Sequence, residues 1–376
     1  MQFLPKIQFD FAGIMFLIFC GAVFIQLMYI FFFYVKLIRH KKKEVNTKLP
    51  GLTVIVCARN EEDNLFKNLP AILNQDYPEF EVIVVNDQSA DESKHIIQAY
   101  QKKYTHLRIV ELERNKHRKF GKKTPLTIGI KGAKHPLLMM IDADCYPATK
   151  NWLRRMVANY TEGKEIVIGF GPYEVEKSFL NKLIRFDTTM IAITYLSFAK
   201  RGLPYMAVGR NMSYAKAKFF EVDGFKNHYH IQSGDDDLFM KDAATKKNVA
   251  IEIDPESFVF STPKKTWSDW VKQKQRHFTT APNYRLINKL FLGIFPASMF
   301  LMLLSFIILL FSFKWWWIVV GLLLIRYIIY WLICGSLFKK LAARDLFIWF
   351  PVIEFVHFVI TPFIYYSTDR TEPDKW

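Results

Sequence analysis

The chain has 376 residues, about half of them hydrophobic, and a formal net charge of +16. This length suits one large domain or two moderate ones, and the excess of Lys and Arg predicts phosphorylated ligands or anionic membrane lipids as partners. No zinc-finger spacing or RNA-binding aromatic signature accompanies the charge, so we expect no nucleic-acid partner. The four cysteines form no CxxC pair, which argues against a disulfide framework or a zinc site.

Apolar residues concentrate at the two ends of the chain. Phe11 to Val35 carries no charge and is long enough to cross the hydrocarbon core of a membrane. Two more candidate spans lie near the other end, and the second of them contains Arg326, which we expect to face other helices. A fourth apolar segment with two prolines predicts a broken span or a re-entrant segment. The predicted membrane segments are 11–38, 288–313, 315–338 and 345–366, with tails at 1–10 and 367–376.

Basic residues near the ends of these segments predict their orientation. The run from Lys36 to Lys43 directly follows the first span, and Lys339 and Lys340 follow the third, so both places should be cytoplasmic. Lys314 alone separates the second and third spans, as expected for a short external turn. We therefore expect an integral protein of a bacterial inner membrane, with residues 39–282 in the cytoplasm and both termini outside.

The middle segment alternates short apolar runs with helical patterns. The runs LTVIVCA, EVIVV, LRIVEL and LLMMI predict strands, and the segments between them predict helices. This alternation indicates βαβ units and hence an α/β domain with a mostly parallel, Rossmann-like sheet. Ligands of such sheets bind outside the carboxyl ends of the strands.

Acidic residues follow three of the four predicted strands. Glu61 follows the first strand, Asp87 the second, and Asp142 and Asp144 the fourth. Each could instead be a turn or helix-capping residue, but their repetition at one edge of the sheet favours a binding site. Asp142 and Asp144 are two positions apart, so both would point the same way in an extended strand. Paired carboxylates suit Mn²⁺ or Mg²⁺ and, through the ion, a diphosphate.

Together these features resemble the family 2 glycosyltransferases, which have the GT-A fold. The resemblance covers roughly Leu52 to Phe278, and the flanking spans match the membrane-integral members of the family. TVIVCARNEEDNL is similar to the family's first strand and nucleotide-binding turn, NDQSADES to its second acidic motif, GKK to its Gly-Lys, and IDAD to its DxD motif. VGRNMSYAK resembles the segment of the sugar and acceptor pocket, SGDDDLFMKDAA the motif of the catalytic base, and QKQR the QxxR part of QxxRW.

The resemblance implies roles for individual residues. Asp235 would be the catalytic base because Leu238 follows it by three residues, and Asp236 is the alternative. Asp144, assisted by Asp142, would hold a divalent metal ion, Mn²⁺ or Mg²⁺. The remaining motif residues would bind the nucleotide sugar: Ala58, Asn60, Glu61, Asp87, Lys122, Asp142, Asn211, Gln273 and Arg276.

One position departs from the family pattern, since His277 stands where QxxRW has its tryptophan. That tryptophan is associated with the acceptor end in polysaccharide synthases, so its replacement argues against processive polymer synthesis. Residues 266–282 also read as a basic amphipathic helix at the membrane surface, anchored by Trp267 and Trp270. The apolar-rich stretch from Glu176 to Gly202 predicts a helix that lies either along the membrane or in the core of the domain.

The resemblance implies inverting transfer of a sugar from a nucleotide diphosphate-sugar, with a UDP-sugar expected, to a lipid or lipid-linked acceptor. A growing polysaccharide, made by a processive synthase, is the second acceptor, and a polyprenyl phosphate is the third. A hypothesis of another class is a membrane transport or scaffold protein with a degenerate transferase domain, which Arg326, Glu354 and His357 within apolar segments would suit. Intact acids at every motif argue against degeneration.

Overall fold

The computed structural model describes residues 10–45, 49–113, 121–231, 233–313 and 315–368. Most of the two predicted tails and the predicted external turn at Lys314 lie outside these residues. The strands are β1 Leu52–Ala58, β2 Phe80–Asn86, β3 Leu107–Glu111, β4 Leu137–Asp142, β5 Cys145–Pro147, β6 Ile166–Ile168, β7 Met212–Ala215, β8 Val249–Ile251 and β9 Val259–Ser261.

The helices fall into a group within the α/β domain and a group at the two ends of the chain. The domain contains α3 Glu62–Leu73, α4 Ser93–Gln101, α5 Lys123–Gly132, α6 Trp152–Val157, α7 Phe179–Lys200, α8 Lys216–Glu221, α9 Asp237–Ala243 and α10 Trp267–Phe278. The ends of the chain contribute α1 Phe11–Tyr29, a π-helical turn Ile30–Tyr34, α2 Val35–Ile38, α11 Leu286–Ser312, α12 Trp316–Lys340 and α13 Phe350–Tyr366.

A seven-stranded sheet in the order β3-β2-β1-β4-β7-β6-β8 organises the domain, and β5 pairs with β9 beside it. β1 is parallel to both β2 and β4, and β2 is parallel to β3. The strand order therefore reverses at β1, which places the crevice for a ligand beyond the carboxyl ends of β1 and β4. The predicted α/β fold with a mostly parallel sheet is confirmed, although β7 is antiparallel to β4 and β6.

The two faces of the sheet belong to two different hydrophobic cores. Because side chains alternate along β1, Val54 and Val56 pack against α3 and α6, whereas Ile55 and Cys57 face the opposite side. The core that contains Ile55 and Cys57 extends beyond the α/β domain. It continues through α7 to residues of α12 and α13, such as Tyr330. The α/β domain and the apolar helices thus share one packed interior.

Three helical segments are long and apolar enough to cross a membrane: Phe11–Ile38, Leu286–Ser312 and Trp316–Lys340. At 25 to 28 residues each they measure about 40 Å, more than the roughly 30 Å of a bilayer's hydrocarbon core. All three lie close to the predicted segments. α13 is shorter, with 17 residues, and packs against α7, α10 and α12. The predicted fourth segment begins five residues before α13, in a 3₁₀ turn.

A polar cluster connects α1, α11, α12 and α13. The Arg326 side chain on α12 is fully buried, and it donates to Glu354 Oε1 on α13 at 3.2 Å and to Gln26 Oε1 on α1 at 2.5 Å. The amide of Gln26 in turn donates to Ser298 Oγ on α11 at 2.7 Å. Arg326 therefore faces other helices, as expected, and its charge is matched by Glu354.

Two helices of the domain differ in part from the expectations. α7 is mostly buried, in agreement with the alternative that places it in the core. In α10, Trp267 is exposed, but Trp270 is only 3% exposed. The expectation that both tryptophans anchor the protein in a membrane surface is therefore wrong for Trp270. Its ring faces the core because α10 packs against α13.

Asn211 is placed differently from its predicted role in nucleotide-sugar binding. Its side chain is fully buried, donates to Phe170 O at 2.8 Å and to Ser257 O at 2.9 Å, and accepts from Trp152 Nε1 at 3.0 Å. These three bonds use the amide's donors and its oxygen inside the domain. The Asn211 side chain therefore holds the fold together, and the prediction that it contacts the ligand is corrected.

Replacing Asn211 with alanine should destabilise the protein. The change leaves one buried N–H and two buried carbonyl groups without their partner, at about 1–3 kcal/mol for each unsatisfied group. We expect the thermal unfolding midpoint in detergent to fall by several degrees. Asn74→Ala, which removes an exposed amide at the end of α3, is the control and should shift the midpoint much less. Equal midpoints for the two variants would contradict the structural role.

A second prediction about stability concerns the Arg326–Glu354 ion pair. Arg326→Leu leaves a buried carboxylate unpaired and should destabilise the protein by about 3–5 kcal/mol. The double substitution Arg326→Leu with Glu354→Leu removes both charges and should recover most of the loss, because apolar residues can replace a buried ion pair at little cost. Unfolding midpoints of the two variants in detergent test this. A double variant less stable than Arg326→Leu would contradict it.

Candidate active site

A cavity of about 550 Å³ lies beyond the carboxyl ends of β1 and β4. Its walls come from the turns after these strands, from the segment before β7, from the acidic loop before α9, and from α7 and α10. Eight of the predicted site residues line it: Glu61, Lys122, Asp142, Asp144, Asp235, Asp236, Gln273 and Arg276. Four others lie outside the lining: Ala58, Asn60, Asp87 and Asn211.

The two aspartates of IDAD lie where β4 ends. Asp142 is the last residue of β4, and Asp144 lies in the following turn rather than in an extended strand as expected. The turn still brings them together, because carboxylate oxygens of Asp142 and Asp144 and the thiol of Cys145 lie within 4.8 Å of one another. Burial and the two nearby carboxylates raise the pKa of Cys145, which donates to Asp144 Oδ1 at 3.2 Å as a neutral thiol.

The donor set therefore consists of two carboxylates, one of them exposed to the cavity, beside a protonated thiol. Carboxylate oxygens suit hard divalent ions such as Mg²⁺ and Mn²⁺, and a neutral thiol is a poor ligand for either. Asp142 and Asp144 thus fit the expected metal ion, and Cys145 serves to orient Asp144.

Lys122 lies between the metal motif and the acidic loop. Its ammonium group contacts Asp142 and lies 3.4 Å from Asp235 Oδ2. Burial acts to lower the pKa of Lys122, but the charges of Asp142 and Asp235 raise it well above its ordinary value. Burial likewise acts to raise the pKa of Asp142, whereas Lys122 and, after it, Arg210 and Arg276 lower it. Three cations therefore face the site of the metal motif.

Arg210 is a site residue that the sequence analysis did not single out. Its Nε donates to Gly171 O at 3.1 Å, and its guanidinium lies 4.8 Å from the centre of the Tyr173 ring. A Cβ on Gly171 would lie 2.2 Å from Arg210 Nε, so glycine is required for this approach. The Tyr173 hydroxyl accepts from Gln273 on α10 at 3.1 Å. Arg210 stands beside Asn211 in VGRNMSYAK, and its charge was the available signal.

The three consecutive aspartates at the start of α9 have different surroundings. Asp235 faces the cavity and Lys122. Asp236 accepts from the backbone N–H groups of Gly209 at 2.8 Å and Asp237 at 2.7 Å, so both its oxygens take part in holding the backbone. Burial, followed by repulsion from Asp235 and Asp237, raises the pKa of Asp236 to about 8.

Asp237 is buried and connects the acidic loop to the segment that leads into α11. Its Oδ2 accepts from the hydroxyl groups of Thr280 and, at 2.7 Å, of Tyr284. The loop is held from the other side by Lys123, whose buried ammonium donates to His228 O at 2.6 Å and Ile231 O at 2.7 Å. Burial lowers the pKa of Lys123 to about 8. Neither residue was identified as important from the sequence.

The charged groups of the two motifs converge on Gly209. A Cβ built on this glycine would lie 3.4 Å from Oδ2 of both Asp235 and Asp236, and 3.5 Å from Lys122 Nζ. The lack of a side chain at Gly209 therefore keeps open the space in which the base candidates and the cation meet.

Hydrogen bonds connect the turn after β1 to the turn after β2. Asn60 adopts the left-handed conformation at φ 54°, which asparagine tolerates. Its backbone N–H donates to Ser89 Oγ at 2.9 Å, and its Oδ1 accepts from Ala90 N at 2.8 Å. Asp87 lies at the end of β2, where its backbone N–H donates to Ala58 O at 2.8 Å. Ala58, Asn60 and Asp87 thus shape the edge of the sheet, and their contacts with a nucleotide stay a prediction.

Glu61 lines the cavity, as does Arg59 of the same turn. Asn64 donates to its carboxylate at 2.6 Å. Burial raises the pKa of Glu61, and the charges of Asp144 and Asp142 add to the rise. This proximity shows that the turn after β1 and the metal motif form one acidic wall.

Part of the cavity lining is apolar and comes largely from helices. Ile191 and Ala192 come from α7, and Met206 comes from the segment that follows it. Leu292 comes from α11, which is one of the three helices long enough to cross a membrane. The cavity thus joins a charged region at the sheet to an apolar region at the membrane helices.

Comparisons with known proteins agree with this geometry. The family model described as Glycosyl transferase family 2 matches residues 53–222. The poly-β-1,6-N-acetyl-D-glucosamine synthase of Staphylococcus epidermidis is 32% identical over 102 residues, which is 27% of this chain and 24% of that protein. The β-monoglucosyldiacylglycerol synthase of Nostoc sp. is 28% identical over 152 residues, 40% of this chain and 31% of that protein.

A solved structure is similar over almost the whole chain. It is the mannosyltransferase PcManGT from Pyrobaculum calidifontis in complex with GDP-Man and Mn²⁺, with a TM-score of 0.56 and 16% sequence identity. The alignment covers 93% of this chain and 98% of that one. At this identity the likeness concerns the fold, which is GT-A.

The chain spans less than a third of the length of the two curated relatives. The matched region, 53–222, contains β1 to β7 and the metal motif, and three apolar helices accompany it. Residues 53–222 therefore belong to a family 2 glycosyltransferase domain, and helices long and apolar enough to cross a membrane lie on both sides of it.

Proposed function

We propose that this protein is an inverting glycosyltransferase that moves a sugar from a UDP-sugar to a lipid or lipid-linked acceptor. One observation carries the proposal: a single cavity contains paired carboxylates for a metal ion, three cations beside them, and a separate aspartate, Asp235. The first two groups suit a nucleotide diphosphate, and the third suits proton removal from an acceptor. The charged and apolar ends of the cavity match the two substrates.

The donor would lie with its diphosphate between the metal motif and the cations. Arg210 and Arg276 both lower the pKa of Asp142, so their positive charges reach the same point. When bound at Asp142 and Asp144, Mn²⁺ or Mg²⁺ would offset charge on the leaving diphosphate. Lys122, Arg210 and Arg276 stabilise the same developing charge from the protein side. PcManGT carries GDP-Man and Mn²⁺ in its structure, which supports a nucleotide sugar and a divalent ion here.

Asp235 would act as the base. In the reaction the acceptor hydroxyl gives its proton to the carboxylate of Asp235, and the freed oxygen attacks the anomeric carbon. The bond from this carbon to the diphosphate oxygen breaks, the nucleoside diphosphate leaves with the electron pair, and the configuration inverts. Asp236 is the weaker candidate, because its two oxygens accept backbone N–H groups and its raised pKa favours the protonated form at neutral pH.

The apolar end of the cavity supports a lipid acceptor. A hydroxyl group attached to acyl chains would reach Asp235 from the side of α7 and Leu292, close to the start of α11. The Nostoc relative is named for a glycolipid product, which agrees with this acceptor, and the Staphylococcus relative for a polysaccharide. A processive synthase is therefore the second candidate, and His277 in place of the tryptophan of QxxRW disfavours it.

The proposal includes a location. The basic run after the first apolar helix supports a location of the α/β domain on the cytoplasmic side of a bacterial inner membrane, where nucleotide sugars are available. The rival idea of a transporter gains little support from the intramembrane charges. Arg326 and Glu354 bind each other, and His357 contacts Asp187 of α7, so these charges serve packing between helices.

The donor and the metal are tested together. Purified protein in lipid nanodiscs is given labelled UDP-sugars, with GDP-mannose as a further donor, in the presence of Mn²⁺ or Mg²⁺. We expect turnover of a UDP-sugar, product that extracts with lipid, and loss of turnover on chelation. Asp144→Asn should reduce turnover about a hundredfold or more, because the diphosphate loses charge stabilisation.

Asp63→Asn is the matched control for that experiment, since Asp63 is an exposed carboxylate of α3 outside the cavity. It should keep full turnover. The proposal fails if no nucleotide sugar is bound or turned over and Asp144→Asn behaves like Asp63→Asn. Turnover of GDP-mannose alone would overturn the donor assignment. Product that stays in the aqueous phase as polymer would favour the processive alternative.

The assignment of the base gives a separate prediction. Asp235→Asn should lower the turnover number by about 10²- to 10⁴-fold, the range of general-base contributions, while UDP still binds. Asp236→Asn keeps one of the two backbone contacts and should lower the turnover number much less than Asp235→Asn does. It should also lower the thermal stability of the protein somewhat. UDP affinity by calorimetry and single-turnover rates separate these effects. The reverse order of the two variants would assign the base to Asp236.

A further inference from the structure

We propose that Asp187 is a positioning residue that fixes the orientation of α10, and through it holds Arg276 against the nucleotide diphosphate. Asp187 lies on α7, which belongs to the domain, and none of the sequence motifs includes it. The inference rests on the proposed function only in taking the ligand beside Arg276 to be a nucleotide diphosphate. The anchoring of α10 itself can be tested without any ligand.

Asp187 is the meeting point of three helices. It is 4% exposed, and Lys274 of α10 donates to both its oxygens at 2.9 Å. His357 Nε2 of α13 lies 2.8 Å from Asp187 Oδ1. Because an ionised carboxylate only accepts hydrogen bonds, His357 donates here. One carboxylate of α7 therefore binds both the helix of the QxxR motif and a helix of the apolar group.

The charges at this point stabilise the ionised carboxylate. Burial acts to raise the pKa of Asp187, but the charge of Lys274 and the hydrogen bond from His357 lower it well below its ordinary value. Asp187 is therefore an anion at neutral pH, and Lys274, which is itself buried, has its counter-charge there. Removal of either partner leaves the other as a buried unpaired charge, which proteins tolerate poorly.

The geometry of a helix explains how this ion pair acts on the site. Successive side chains turn by about 100° in a helix, so Gln273 and Arg276, three residues apart, lie on the same face. Lys274 points about 160° away from Arg276. The ion pair of Lys274 with Asp187 therefore fixes the rotation of α10, and both residues line the cavity together with Gln273 and Arg276.

α10 has polar contacts at both ends and along its middle, where Gln275 also donates to Ser367 O at 3.1 Å. Thr266 caps the first turn by accepting from Asp269 N at 3.2 Å. Beyond the last turn, Thr280 donates to Asp237 of the acidic loop. Between these points, Gln273 binds Tyr173 and Lys274 binds Asp187. Only the second of these middle contacts joins α10 to α7.

Arg185 provides a matched control on the same helix. It lies two residues before Asp187, is also buried, and binds Asp345 through two hydrogen bonds of 2.7 and 2.6 Å. Asp345 lies in the connection between α12 and α13, and neither residue lines the cavity. Arg185→Gln thus breaks an ion pair of α7 without touching α10. It measures how much of any effect comes from loss of stability alone.

The experiment compares Asp187→Asn, Lys274→Met and Arg185→Gln in the full chain in nanodiscs. UDP affinity is measured by calorimetry with Mn²⁺, and hydrogen exchange is measured over residues 267–278. We expect Asp187→Asn and Lys274→Met to weaken UDP binding by about tenfold to a hundredfold, as for loss of a charge-assisted bond. Both should also speed exchange in α10. Arg185→Gln should keep UDP affinity within about twofold, whatever its unfolding midpoint.

Lys274→Arg is the conservative variant and should restore most of the UDP affinity, because a guanidinium can still bind the carboxylate. The inference is overturned if Asp187→Asn binds UDP as the unmodified protein does, or if Arg185→Gln weakens binding equally. Failure of the proposed function looks different: the unmodified protein then binds no UDP. In that case, unchanged exchange of α10 in Asp187→Asn would still overturn the anchoring, and faster exchange would support it.

Discussion

The arrangement of the site depends on one contact, in which Lys122 stands between Asp142 and Asp235. The fold brings several carboxylates to one cavity, and without a cation among them they would repel one another. Lys122 directly precedes α5 and its side chain is only 13% exposed, so its charge acts at short range and with little screening by solvent. The ammonium group of Lys122 therefore allows the metal motif and the acidic loop to face each other across a narrow space.

The two halves of the sheet contribute different parts of this site. The parallel half provides the metal motif at the end of β4, where the strand order reverses. The antiparallel strand β7 follows Gly209 and Arg210 and so fixes the segment that faces the acidic loop. Beyond the sheet, a continuous core joins the domain to α12 and α13. The site is consequently built against the apolar helices, which suits an acceptor that comes from a membrane.

The sequence predicted the parallel half well because its strands are long, apolar and separated by clear helices. β6, β7 and β8 have three or four residues each, too few for a pattern, and they pair across long distances along the chain. Eight of the twelve residues predicted from motif positions line the cavity, but a motif does not give the direction of a side chain. For that reason the motif did not predict that Asn211 points into the domain and that its neighbour Arg210 reaches the site. Asp187 and Lys274 are 87 positions apart, and only the fold brings them together.

The three consecutive aspartates show how position divides the roles of chemically identical residues. Asp236 holds the start of α9, and Asp237 is enclosed by hydroxyl groups of the segment that leads into α11. All three line the cavity, and Asp235 is the one that forms an ion pair with Lys122, at 3.4 Å. Two of the acids thus fix the loop, one toward the sheet and one toward the membrane helices. The loop can then present the third at a defined distance from Lys122, which is the condition for a base that must meet a hydroxyl group at hydrogen-bond distance.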